Sequence, residues 1–280
     1  MMRRRPELRG GRAGGQGHPD RSMKEILKTI AEYVLPSSLH LPVRHFVQKV
    51  KGGLDPELTY VDRLLTRHRR FLDIGANVGG YSYYFSGKFE AVDAFEPIEE
   101  ITYRLKSLKN RNVTTHDVAL SNINGHLKFY IPIRNGKIVP PLASLEKRGE
   151  SCDERLVAVR RLDDYGFDDV DLIKIDVEGH EYDVLKGSAA TIGKSLPILI
   201  VEIEQRHNVQ PIERVFDLVR GFGYDGYFLL GDSLSGLENF SYANDQQPYL
   251  ETVRNAGIRD RRYINNFIFL LSPEARKSTT

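Results

Sequence analysis

Tryptophan is absent from the 280 residues, and cysteine occurs once, as Cys152. A single thiol excludes an internal disulfide and any zinc site built on several cysteines, and it fits a reducing compartment. No stretch approaches the roughly 18–20 apolar residues of a membrane span, which excludes an integral membrane protein. The charged N-terminus lacks the apolar core of a secretory signal. A cytoplasmic location is therefore expected. An excess of one charge is lacking too: 40 Lys and Arg against 38 Asp and Glu leave +2. Even that is local. Residues 1–22 hold six Arg against Glu7 and Asp20, so the remainder carries −2. The basicity belongs to a tail and not to a face, which argues against nucleic acid as a partner.

What is present reads as one soluble α/β chain. Residues 1–22 are rich in Arg and Gly and too poor in apolar side chains to order themselves. They are a disordered tail, or sequence upstream of a start at Met23. Over 23–69 apolar residues recur at helical spacing, broken by Pro36 and Pro42, which predicts a helical cap. Its basic flank (Arg44, His45, Lys49, Lys51) leaves peripheral membrane association as the competing reading. Asp55-Pro56-Glu57 is a helix start. Beyond it, short apolar strands at 70–75, 89–95, 112–119, 171–177 and 196–203 alternate with helices at 79–86, 98–109, 181–192 and 211–220. That order means a parallel sheet covered on both faces. Segments 224–230 and 263–271 have no helix between them and predict a closing antiparallel hairpin. The domain is expected at 70–272, with a tail at 273–280.

The chemistry lies at strand ends. The first strand runs into Asp73-Ile-Gly75-Ala-Asn77-Val-Gly79-Gly80, a turn that glycine and Asn can make and that a ligand can approach closely. The spacing is not the dinucleotide G-x-G-x-x-G. Glu96 ends the second strand, where a carboxylate suits a ribose diol. Asp117, with Val118 beside it, ends the third and is placed for an adenine amino group. Acids at successive strand ends with a non-dinucleotide loop point to S-adenosylmethionine instead of NAD. Asp73 is then expected to face the cofactor ammonium. The assigned cofactor residues are Asp73, Gly75, Asn77, Gly79, Glu96, Asp117 and Val118.

FLDIGANVGGYS (71–82), AFEP (94–97), VALSNINGHLKFY (118–130) and above all DLIKIDVEGHEYDVLKG (171–187) resemble the FkbM family of S-adenosylmethionine-dependent methyltransferases, as do ASL (143–145), LPILIVEIE (196–204) and INNFIFL (264–270). The resemblance spans about 55–271. It implies a class I methyltransferase, Rossmann-like fold: a seven-stranded, mostly parallel sheet ending in an antiparallel hairpin, with helices on both faces. It also implies methylation of hydroxyl groups, often on sugars of glycans, glycolipids or glycosylated metabolites. The short first helix and Asp93 inside strand two depart from the pattern without removing a cofactor contact.

Asp176, Glu178 and His180 follow the fourth strand and are the catalytic candidates. Deprotonating an attacking hydroxyl is general-base work, and His with a neighbouring carboxylate suits it. The competing reading is that Glu178 and Glu181 only cap a helix. Ser144, in the long insertion between strands three and four, and Glu202, at the end of strand five, are candidate acceptor residues. Asp176, Glu178 and Glu202 could gather Mg²⁺, but no diagnostic ligand spacing accompanies them, and a metal is not expected. The rival functions are an NAD-dependent oxidoreductase, a nucleic-acid methyltransferase, a methyltransferase for non-sugar hydroxyls, and a non-catalytic scaffold. The missing dinucleotide spacing opposes the first, and the absence of a D/N-P-P-aromatic motif after strand four opposes the second. The acceptor and the oligomeric state are not fixed by the sequence.

Overall fold

The computed structural model describes residues 45, 55–106, 112–134, 137–138, 144–145, 151–251 and 262–278. The tail at 1–22 and most of the cap at 23–69 lie outside the described residues. In chain order the elements are α1 (Pro56–Leu64), β1 (Arg70–Ile74), α2 (Gly80–Phe85), β2 (Ala91–Phe95), α3 (Glu99–Lys106), β3 (Val113–His116), β4 (Ala119–Leu120), β5 (Gly125–Arg134), β6 (Lys137–Ile138), β7 (Cys152–Arg160), β8 (Val170–Ile175), α4 (Glu181–Lys186), α5 (Ala189–Ser195), β9 (Ile198–Glu202), α6 (Glu213–Gly221), β10 (Tyr224–Leu230), β11 (Ser233–Gly236), α7 (Tyr242–Asp245), β12 (Asn266–Leu271) and α8 (Pro273–Ser278).

The main sheet runs β11-β10-β12-β9-β8-β1-β2-β3. Its β9-to-β3 part is parallel, and β12 lies antiparallel between β9 and β10. This is the expected class I methyltransferase topology with one correction. The sheet has eight strands and not seven, because the chain after Gly231 doubles back as β11 along β10. The sequence of β11, SLSG, carries little strand signal of its own.

Neighbouring residues of the strands feed opposite cores, as the two-residue repeat requires. Phe71, Leu172, Ile200 and Ile268 pack with Leu58 and Val61 of α1 and with Phe85. Leu72, Ile173, Leu199 and Phe267 pack on the other face with Val184, Val215 and Val219. Each such side chain contributes roughly 1.5–3 kcal/mol on burial, which explains why these strands read as continuous apolar runs. Asp93, the acid within β2, is buried between Arg70 and His116, whose Nε2 lies 2.8 Å from its Oδ1.

The helix expected over 181–192 is two helices. A Cβ on Gly187 would stand 2.0 Å from the Ser121 carbonyl oxygen, so the chain there presses against another backbone and the helix breaks at Gly187-Ser188. The strand expected over 112–119 also divides. β3 stays in the main sheet, while β4 joins a second sheet of order β4-β7-β5-β6, built largely from the insertion. The 273–280 segment begins with α8, and Ala275 lies against Gly223. Among the described residues no helix is long and apolar enough to cross a membrane.

Candidate active site

The carboxyl ends of β1, β2 and β8 meet around a cleft. Its lining includes Gly75, Asn77, Phe95, Glu96, Asp176, Glu178 and His180, with Ala119, Leu120, Phe129 and Leu145 as an apolar wall. Phe129 belongs to β5, and Leu145 follows the lone bridge between Ser144 and Tyr130. The insertion thus supplies part of the cleft.

The loop after β1 is shaped by three left-handed residues, Gly75, Asn77 and Gly79, at φ 73°, 49° and 83°. The Asn77 Oδ1 accepts the Val78 N–H at 2.7 Å, which fixes the side chain within the turn. The N–H groups of Gly75 and Ala76 both donate to the Phe95 carbonyl at 3.0 Å, tying the loop to the end of β2. On the other side, the Asp176 N–H donates to Ile74 O at 2.9 Å.

Glu96 bridges loop and strand. One carboxylate oxygen accepts the Asn77 N–H at 3.0 Å and the other accepts the Ile98 N–H at 3.1 Å. Burial pushes its carboxyl up to about 7, opposed by those two N–H groups. Asp73 holds the start of α2. It is buried, and its Oδ2 accepts both the N–H and the hydroxyl of Ser82 at 2.9 and 2.6 Å. It thus anchors the first turn of α2 and is not among the residues lining the cleft. Burial pushes it up to about 6. Asp117 is half exposed and paired with Lys106 at 2.6 Å, also outside the cleft lining. Val118 packs on the core beside it.

Behind the cleft lies a group of acids around one buried cation. Lys174, 2% exposed, donates to Asn266 Oδ1 at 3.0 Å and stands 3.7 Å from Glu202 Oε2. Burial raises the Asp176 carboxyl, and the positive charge of Lys174 pulls it back. Glu202 is raised well above the carboxylate range by burial and by the neighbouring charge of Asp176. Glu202 also accepts the Asn265 amide at 2.7 Å.

Glu178 and Gly179 turn the chain out of β8 with φ of 56° and 106°. The Glu178 carbonyl accepts the Ser144 hydroxyl at 2.8 Å, so Ser144, itself buried, braces the turn. The Glu178 carboxylate lies 2.7 Å from His207 Nδ1. His180 lies at the start of α4, its Nε2 2.9 Å from Ser121 Oγ and its Nδ1 3.9 Å from Asp183. Glu181 caps the same turn, accepting the Gly179 N–H at 2.7 Å. Among the described residues no group of three or more His, Cys, Asp or Glu side chains is arranged to hold a metal ion.

The structure thus brings Gly75, Asn77, Glu96, Asp176, Glu178 and His180 to one cleft. It places Asp73, Gly79, Asp117, Val118, Ser144 and Glu202 around it and not in its lining. Sequence reasoning missed two residues. Lys174 had a signal, as a lone charge in the apolar run DLIKI. His207 had only its place just after the fifth strand.

A family profile, Methyltransferase FkbM domain, matches residues 73–225. No curated protein matches the chain. Among solved structures the chain is similar to the methyltransferase FkbM from Methylobacillus flagellatus, at 17% identity and a TM-score of 0.45. That alignment covers 89% of this chain and 60% of the other, so this chain spans less than two thirds of that protein's length. A TehB-like SAM-dependent methyltransferase from Corynebacterium glutamicum aligns at 11% identity and a TM-score of 0.42, over 84% of this chain and 98% of that one. A precorrin-6y C5,15-methyltransferase from Geobacter metallireducens aligns at 14% and 0.41, over 78% and 87%.

Proposed function

The chain belongs to the FkbM family of S-adenosylmethionine-dependent methyltransferases, and from that premise we propose that it methylates a hydroxyl group on a sugar of a glycan, glycolipid or glycosylated metabolite. The observation that carries this reading is that Glu96 and the left-handed loop at Gly75–Asn77 share one cleft with Asp176, Glu178 and His180.

The residues suit the cofactor. Each Glu96 oxygen accepts one N–H, and a carboxylate oxygen has a second lone pair for a ribose hydroxyl. The apolar wall of Ala119, Leu120, Phe129 and Leu145 suits an adenine ring. When bound, S-adenosylmethionine supplies a methyl group activated by positive sulfur.

The rest is the work of the chain. Asp176, Glu178 and His180 present acceptors to several hydroxyl donors at once, which favours a sugar and disfavours an anionic acceptor. Holding the attacking oxygen in line accounts for much of the rate, and Asp176 and His180 would orient it. The sequence assigned the adenine to Asp117. The apolar wall is the better candidate, because Asp117 faces Lys106.

The test is transfer of radiolabelled methyl groups to a panel of methyl hexosides, with catechol and simple alkanols as non-sugar hydroxyls. Labelled glycosides alone would support the proposal. Labelled catechol or alkanol alone would move the acceptor to a non-sugar hydroxyl. S-adenosylhomocysteine binding with no transfer to any acceptor would favour the scaffold reading.

A further inference from the structure

We infer that Ser144 is a positioning residue for methyl transfer: its hydroxyl clasps the insertion to the Glu178–Gly179 peptide and so sets the place of Glu178 in the cleft. This rests on the methyl-transfer reading above. The sequence made Ser144 a candidate acceptor ligand, but it is 2% exposed and is not among the residues lining the cleft. Its hydroxyl donates to the Glu178 backbone oxygen at 2.8 Å.

The peptide it holds needs holding. Glu178 and Gly179 lie at φ 56° and 106°, and Gly179, without a Cβ, puts little steric limit on the plane before it. Side chains engage both polar groups of that plane. The Glu178 carbonyl accepts from Ser144, and the Gly179 N–H donates to Glu181 Oε1 at 2.7 Å. Turning the plane over would break both bonds at once. Glu178 lines the cleft, so the orientation of this plane decides where its carboxylate can lie.

Ser144 is itself fixed by the insertion. Its N–H donates to the Tyr130 carbonyl at 3.1 Å, and its own carbonyl accepts the Tyr130 N–H at 2.8 Å. Tyr130 lies on β5 beside Phe129, which lines the cleft, as does Leu145 next to Ser144. Phe129 and Ile131 form an apolar group with Ile98 and Ile101, against which Leu145 and Val78 pack. Val78 belongs to the loop after β1. One clasp therefore joins the turn after β8 to the insertion and, through that apolar group, to the loop proposed to hold the cofactor. Ser144 acts through Glu178 and takes no part in the bond changes.

Glu178–Gly179 is the one Glu-Gly pair in the sequence. Isotopic labelling of glutamate carbonyl carbons and glycine nitrogens therefore gives this peptide a single carbonyl–amide NMR signal, with no acceptor needed. In Ser144→Ala the carbonyl carbon is expected to move to higher field as its hydrogen bond is lost. In Ser144→Thr, which keeps the hydroxyl, it should stay in place. In transfer to the methyl hexosides, Ser144→Ala is expected to lower kcat about tenfold, the effect of one hydrogen bond. Affinity for S-adenosylhomocysteine should be unchanged, and Ser144→Thr should retain kcat. An unmoved carbonyl signal in Ser144→Ala would overturn the inference, and with a raised acceptor KM it would make Ser144 an acceptor ligand. Full kcat in Ser144→Ala would also overturn it, as would an equal loss in both variants, which would reduce Ser144 to packing. If the native chain methylates no hexoside, the sugar reading fails and the carbonyl signal decides the matter for Ser144.

Discussion

A Cβ on Gly75 would stand 1.9 Å from the backbone oxygen of Asp176. The loop proposed to hold the cofactor and the strand end proposed to face the acceptor are therefore in backbone contact, with no side chain between them. Gly75→Ala should disrupt both. Its φ of 73° alone would cost an alanine about 1–2 kcal/mol, and the collision adds displacement of β8. The expected outcome is a lower Tm and loss of S-adenosylhomocysteine binding by calorimetry. Native-like affinity would show that the contact is dispensable.

Glu96 makes the cofactor site sensitive to pH. Its carboxyl is raised to about 7, chiefly by burial, so the folded chain favours the protonated form. The resulting stability is complete below the ordinary carboxylate range and is lost as pH rises through about 7. Ribose hydroxyls donate to the ionised form, so binding should release a proton. At about pH 6, calorimetry in buffers of different ionisation enthalpy should detect that release. Glu96→Gln should abolish it and weaken binding at least tenfold, about 1.4 kcal/mol. Proton-neutral binding would contradict the assignment.

Lys174 is the counter-charge of the acid group, pulling the Asp73, Asp176 and Glu202 carboxyls downward. Lys174→Met should leave buried carboxylates uncompensated, a loss on the order of 3–5 kcal/mol in denaturant unfolding. The loss should shrink in acid, where those carboxyls protonate. An equal loss at neutral and acid pH would mean that the lysine acts through packing alone.

Asp176→Asn and His180→Ala should each lower methyl transfer, by about a hundredfold where proton handling is at stake, while S-adenosylhomocysteine still binds. Measured kcat and cofactor affinity separate the outcomes. Full turnover in either variant clears that residue, and lost affinity moves it to the cofactor side.

Much of this was legible before any coordinates. The apolar runs at 70–75, 171–177 and 224–230 overlap β1, β8 and β10 because both faces of the sheet are covered. Glycine and Asn at 75–79 announced a left-handed loop, since few other residues tolerate it. What stayed hidden depends on partners that local spacing does not name. Gly187 breaks a helix because of Ser121, and Asp73 turns to Ser82. Asp117 pairs with Lys106 on the preceding helix, and Glu178 meets His207 across two strand ends. Local spacing shows which residues stand at strand ends, but only packing decides which of them turn inward.

On the reading proposed above, the Gly75–Glu96 cleft binds S-adenosylmethionine. The measurement that tests it most directly is calorimetric titration of the chain, with and without residues 1–22, with S-adenosylhomocysteine, with NAD as control. One site of micromolar affinity for S-adenosylhomocysteine is expected, lost in Gly75→Ala, with no response to NAD. Binding of NAD, or S-adenosylhomocysteine affinity indifferent to both Gly75→Ala and Glu96→Gln, would contradict it.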